Sequence, residues 1–208
     1  VSVTYAANRN VDWLAGHGYN LVAVNAAVRF LGEQEQLEGT YCLVMWENLA
    51  DPILTGRELQ GIPKIYADIQ DHRVLDGQWH TSASHFGSKI LDLFIDQLRD
   101  PTPEEVVANE QATAGRDNPM AWRYLPGISG FGHGASQFTT YPSENVVEKA
   151  WVGDGRVEWQ ELTWEQNPTQ YHIVNALAGL PVLEWRPAVV ALGSTNLILP
   201  ERLPREIR

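Results

Sequence analysis

Lys64 stands where a solvated ammonium has little reason to be, between Ile62-Pro63 and Ile65-Tyr66. The chain holds three lysines, at 64, 89 and 149, against twelve arginines, so a lysine inside an apolar run stands out. An amine in apolar surroundings loses hydration, which disfavours its charged form and lowers its pKa. A part-neutral amine attacks carbonyl carbon and forms a Schiff base. That chemistry needs a nitrogen kept out of bulk water and not locked to a carboxylate. The alternative is an edge residue whose stem packs on Tyr66 while its head reaches solvent. Local sequence leaves both open.

Other reactive side chains are less pointed. Glu47, in Trp46-Glu47-Asn48, is a site acid at a strand end or, by the ordinary habit of glutamate, a surface acid. The six histidines, at 17, 72, 80, 85, 133 and 172, form no His-x-x-x-His pair and flank no cysteine pair, so no metal is expected. Gly127 to Gly134 lacks a following Lys-Ser or Lys-Thr and is no phosphate loop.

The elements that must position these groups are mostly strands. Val3 to Ala7, Asn20 to Phe30, Thr40 to Trp46, Ile53 to Arg57 and Lys64 to Gln70 read as β, the last two separated by a Gly61-Ile62-Pro63 bend. Arg73 to Leu75, the pair Asp76-Gly77 and Gln78 to Ser84 predict a hairpin with a type I′ turn. Ser88 to Leu98 carries an apolar stripe at helical spacing, opposite Asp92, Asp96 and Gln97, and predicts a helix. Thr102-Pro103-Glu104-Glu105 predicts a helix start, and Asn109 to Pro119 an exposed loop. Trp122 to Pro126, Ala135 to Tyr141, Asn145 to Val152 and Arg156 to Leu162 return to β, the last two flanking Gly153-Asp154-Gly155. Asn167 to Gln170 opens a helix with Tyr171, Val174, Leu177 and Leu180 on one face, and Pro181 to Leu192 closes as a strand. Many short strands with few helices suggest a curled or closed sheet.

Composition bounds the rest. With 208 residues, 44% apolar and 20% charged, the chain suits one good-sized core. A net charge of −11 argues against nucleic acid, which needs clustered Lys and Arg. It also repels anions at long range, so a carboxylate ligand needs a cation in its own site. No run of 18 apolar residues predicts a membrane span, and no signal peptide is visible. Cys42, the one cysteine, cannot form an internal disulfide and reads as a core residue, which fits a reducing, cytoplasmic setting.

Gly56-Arg57-Glu58-Leu59-Gln60-Gly61-Ile62-Pro63-Lys64 resembles the signature of the acetoacetate decarboxylase family, whose lysine follows Gly-Arg-Glu, a variable stretch and Pro. Val24 to Trp46, Asp71 to Ser84, Ala150-Trp151 and Ala178 to Val182 resemble the family's landmarks in the same order. The resemblance implies an α+β fold, a curled antiparallel β-barrel or cone-like sheet with a few packing helices. It would occupy 1–208 as one domain, and a strand beginning at Val1 suggests that an N-terminal segment is missing. The resemblance further implies a homo-oligomer and a carbon–carbon lyase that joins Lys64 to a small oxo acid without any cofactor.

Two departures shift the reaction. Ile65 replaces the second lysine common in the decarboxylases, so burial alone must tune Lys64. The family's two upstream glutamates have no counterpart in Val3 to Ala7 or Tyr19 to Val22. Relatives without them use the imine for pyruvate aldol condensation and dehydration, which is therefore expected over acetoacetate decarboxylation. A beta-keto acid decarboxylase, a non-catalytic pocket protein for a small hydrophobic ligand and an ordinary hydrolase are the alternatives. Arg57 and Glu58, within the matched motif, would point to opposite faces of a strand. Arg57 would then anchor a carboxylate by its two-pronged donors, or else one of the pair would brace the loop through an ion pair. Glu161, Glu165 and Tyr171, in a segment dense with proton-transfer groups, are candidate shuttles; capping and core packing are their ordinary alternative.

Overall fold

The computed structural model describes residues 1–113, 118–197 and 201–208. In chain order the elements are β1 (Ser2–Asn8), β2 (Tyr19–Leu31), β3 (Gln36–Glu47), α1 (Ala50–Thr55), β4 (Lys64–Tyr66), β5 (Asp68–Ile69), β6 (Arg73–Leu75), β7 (Gln78–His85), β8 (Ser88–Arg99), α2 (Pro103–Thr113), β9 (Pro119–Pro126), β10 (His133–Thr140), β11 (Glu144–Trp159), α3 (Tyr171–Ala178), β12 (Ala188–Asn196) and β13 (Arg205–Ile207). One sheet runs β1-β2-β3-β9-β10-β13 with β4 beside β3; the other runs β12-β11-β8-β7-β5 with β6 on β7. Pairing is antiparallel except where β3 meets β4 and β9. The result is the curled antiparallel half-barrel with packing helices expected of the sequence.

The main core lies between the sheets. Val22, Val24, Val44 and Trp46 of the first sheet meet Ala67, Ile69, Ala83, Ile90 and Leu91, with Val174 of α3 closing one side. Each large side chain buried there contributes about 1.5–3 kcal/mol by removal of apolar area from water. A smaller cluster groups Cys42, Ile62, Ala121 and Tyr141, and Met45, the register partner of Lys64, packs against it.

Local chemistry explains what matched. Asp76 (φ 49°) and Gly77 (φ 82°) both take positive φ, as the type I′ hairpin requires. Thr102 and Glu105 form a reciprocal capping box at the start of α2, with bonds of 3.3 and 2.8 Å.

Five expectations are corrected. Ser88 to Leu98 is not a helix but β8, paired on both sides by β7 and β11. An apolar run that is buried in a central strand has no periodicity to set it apart from a helix. Ile53 to Arg57 is not a strand: Asp51-Pro52 sits in the first turn of α1, where proline needs no N–H partner, and a wide π-turn follows at Gly56–Gln60. The expected loop at Asn109 to Pro119 is helical as far as Thr113, and Pro119 opens β9; residues 114–117 lie outside the described ones. The two strands expected on either side of Gly153-Asp154-Gly155 are one, since β11 runs through it with a register shift. A Cβ on Gly153 would meet the Asp96 carbonyl at 2.5 Å, so this glycine serves a close backbone approach. At the end of the chain the strand occupies Ala188–Asn196, later than expected.

Candidate active site

β4 is only three residues long and lies parallel to the end of β3, with Lys64 opposite Met45 and Tyr66 opposite Glu47. The Lys64 amide donates to the Ile62 carbonyl at 2.7 Å, a tight turn that starts the strand. Side chains alternate along a strand, so Met45 and Glu47 share the face opposite Trp46. Lys64 joins that face, and Ile65 turns the other way into the main core.

The amine is withdrawn from solvent. Lys64 is 4% exposed and Glu47 0%, and Nζ lies 2.9 Å from Glu47 Oε1. Nζ also donates to the Pro52 carbonyl of α1 at 3.0 Å. The lysine tip runs over Gly56, where a Cβ would stand 2.5 to 2.8 Å from Cε, Cδ and Nζ. Glycine is therefore what gives the side chain its channel. The bend after it is fixed from two sides: Arg57 Nη1 donates to the Lys64 carbonyl at 2.9 Å, and Arg123 Nε to the Glu58 carbonyl at 2.6 Å.

Of the two conditions set by the chemistry, burial is met and freedom from a carboxylate is not. What matters is the state of that carboxylate. Burial pushes the Glu47 carboxyl above its ordinary value, against the pull of Lys64. Among the described residues neither Glu47 oxygen has a partner in hydrogen-bond geometry, so the Lys64 contact is close but poorly aimed. An ionised carboxylate held this way loses hydration without full compensation. Burial also pushes the nearby Cys42 thiol up to about 12, which keeps it protonated and inert.

The expected site residues separate. Lys64 is at the centre. Arg57 and Glu58 lie on the π-turn rather than on a strand, both exposed at their side chains. Arg57 braces the bend by a hydrogen bond to backbone, not an ion pair. Glu165 sits exposed in a turn, where its own amide and the Thr163 hydroxyl hold its carboxyl below the ordinary range. Tyr171 begins α3 and packs on the main core. Its neighbour Gln170 accepts from the Trp46 indole at 2.8 Å, on the sheet face opposite Glu47. The structure therefore does not bring Glu165 or Tyr171 to Lys64. Glu47, for which a site acid and a surface acid were both open, is its charged partner at 2.9 Å. The signal was an acid closing the apolar run Cys42 to Trp46, but the parallel pairing that delivers it to Lys64 leaves no trace in local sequence.

A cleft of about 640 Å³, lined by Asp76, Trp79, Asp96, Gln97 and Asp154 among others, belongs to the second sheet and not to this site. With the geometry in place, comparison with known proteins is decisive: the acetoacetate decarboxylase family model matches residues 1–185. The chain belongs to the acetoacetate decarboxylase family. No match is found among curated proteins. An acetoacetate decarboxylase structure from Legionella pneumophila shares 16% identity at a TM-score of 0.71, covering 92% of this chain and 68% of that one. The enduracididine biosynthesis enzyme MppR complexed with pyruvate shares 14% at 0.56, over 87% and 65%. An acetoacetate decarboxylase-like enzyme from Sphingomonas wittichii shares 14% at 0.60, over 88% and 65%. At such identities the likeness is one of fold. No helix among the described residues is long and apolar enough to cross a membrane.

Proposed function

We propose that Lys64 forms a Schiff base with a small oxo acid and that Glu47 carries the proton the reaction needs. One observation supports this above the rest: a lysine 4% exposed faces a fully buried carboxyl whose proton affinity is raised by burial. Glu47 can take a proton from Nζ and leave the nitrogen lone pair free to attack the carbonyl carbon. The carbonyl oxygen then accepts protons and leaves as water as the C=N bond forms. Electron withdrawal by the protonated imine lets a neighbouring carbon lose a proton, with Glu47 in place to receive it. Arg57 holds the lysine backbone in this reading, and its remaining donors are available to a substrate carboxylate.

The outcome we favour is aldol condensation and dehydration on a pyruvate-like acid. The strand stretches Ser2–Asn8 and Tyr19–Val22 hold no carboxyl, and a relative in fold, MppR, has been captured with pyruvate. Decarboxylation of a beta-keto acid uses the same imine and is the second reading, supported by family membership. Assembly as a homo-oligomer belongs to the same proposal and is read directly by light scattering.

Incubation with pyruvate or acetoacetate and borohydride tests the core of the proposal. A stable mass adduct is expected on Lys64, absent from Lys64→Ala. A protein that folds normally but traps neither acid would be a pocket protein that has lost the chemistry.

A further inference from the structure

Lys64 and Glu47 stand in a row that continues across the sheet. β2 pairs with β3 so that Leu21 lies opposite Glu47. Tyr19, two residues back, points to the same face, at the diagonal separation of roughly 7–8 Å that aromatic side chains span. β1 pairs with β2 so that Asn8 lies directly opposite Tyr19. The face thus reads Lys64, Glu47, Tyr19, Asn8 over β4, β3, β2 and β1.

Two members of this row carry buried polar atoms without a hydrogen-bond partner among the described residues, Glu47 and the amide nitrogen of Asn8. Buried donors are rarely left unmade in native proteins, and such a group calls for a reason. Burial first, and Glu47 second, push the Tyr19 phenol up to about 12, so it keeps its proton near neutrality and acts as a donor. A cleft of about 270 Å³ lined by Arg9, Gly18, Tyr19, Asn20, Asn48 and Asp71 lies at the same end of β2, without Asn8, Glu47 or Lys64 in its lining. Two neutral donors, Asn8 Nδ2 and Tyr19 Oη, suit a carbonyl oxygen that gains negative charge during reaction.

The geometry points to Asn8 and Tyr19 as the binding site for the second reactant, an aldehyde, whose oxygen they hold while the Lys64 enamine attacks its carbon. This rests on the aldol reading above. The chain of bonds from Nζ through the new carbon–carbon bond to that oxygen spans roughly 5 Å. A hydrogen bond of about 2.8 Å beyond that oxygen makes up the roughly 7–8 Å diagonal from Glu47, which Nζ touches, to Tyr19. The enamine carbon bonds to the aldehyde carbon, and the π pair of the aldehyde moves onto oxygen. That oxygen takes the Tyr19 proton, the nitrogen becomes iminium again, and the Glu47 carboxyl returns a proton to the phenolate.

The test compares wild type with Tyr19→Phe and Asn8→Ala, each confirmed as folded by circular dichroism. Pyruvate is offered with a panel of aromatic and aliphatic aldehydes that includes imidazole 4-carboxaldehyde. Borohydride trapping reports the imine, and absorbance of the conjugated product reports condensation. Condensation is expected to fall about 100-fold in Tyr19→Phe and about 10-fold in Asn8→Ala, far more than trapping does. Equal losses in both measurements, or unchanged condensation in both variants, would overturn the assignment. So would a wild type that forms the imine yet condenses no aldehyde. Absence of any Lys64 adduct would instead remove the imine reading, and this assignment with it.

Discussion

Glu47 and Lys64 bury two ionisable groups within 2.9 Å of each other, and that proximity fixes what pH should do to the proposed reaction. Burial raises the Glu47 carboxyl, so it is protonated over a wider range than an exposed glutamate. A protonated Glu47 cannot accept the Nζ proton. Imine formation is therefore expected to fall on the acid side with a midpoint above the ordinary carboxylate value of about 4.3. Trapping rates across pH check this, and in Glu47→Gln that limb should vanish along with most of the rate. Gly56→Ala probes the same site without touching charge. Its Cβ would stand 2.5 Å from Lys64 Cε, a contact that a lysine tip relieves by moving aside. Trapping is expected to slow about tenfold or more because the amine leaves its position, as misplacement by an ångström does elsewhere. The lysine and its motif were legible in the sequence because an ammonium between Ile62-Pro63 and Ile65-Tyr66 contradicts its surroundings. Glu47 was legible only as one of two readings, and the placing of Tyr19 and Asn8 on its face not at all, because strand register, set by long-range pairing, decides both.

At the scale of elements, the short strand that carries Lys64 depends on the opposite face of the sheet. Gln170 accepts from the Trp46 indole at 2.8 Å and donates to the Tyr66 carbonyl at 2.9 Å, so one buried amide ties β3 to β4 beneath the site. Gln170→Leu removes both bonds and leaves the Trp46 N–H without a partner. A loss of about 1–3 kcal/mol is expected, measured by urea unfolding, because an orphaned buried donor bears its full desolvation cost. The same substitution should loosen β4, seen as faster amide exchange at Ala67, whose N–H bonds the Glu47 carbonyl at 3.1 Å. Elements announced by local chemistry were readable: the Asp76-Gly77 hairpin and the Thr102 cap hold atom for atom. β8 and the π-turn were not. Burial on a central strand erases the alternation that marks exposed ones, and the strand-like pattern of Ile53 to Arg57 hid a helix whose proline signal lay just upstream.

For the whole molecule, stability against pH is set by carboxyls displaced in opposite directions. Asp92 lies in the second sheet, 5% exposed, with His80 Nε2 at 2.7 Å and Lys89 Nζ at 2.9 Å. Burial is the largest single influence and pushes its carboxyl up, but hydrogen bonds from His80 and Lys89 together hold it below the ordinary value. A carboxyl depressed on folding stabilises the native state above its unfolded pKa of about 3.9 and loses that contribution as pH falls through the folded one. Glu47 is raised, so its contribution is complete below about 4.3 and fades as pH climbs through its folded value. The two therefore act in separate windows, Asp92 below about pH 4 and Glu47 above it. Asp92→Asn is expected to flatten the acid side of the stability curve and leave the slope above pH 5 unchanged. Glu47→Gln should do the reverse. With a pI near 4.9 the chain carries almost no net charge within the Glu47 window and is prone to associate there. Dilute urea titrations at a series of pH values separate the effects, and an Asp92→Asn acid limb as steep as that of wild type would show that His80 and Lys89 do not hold that carboxyl ionised.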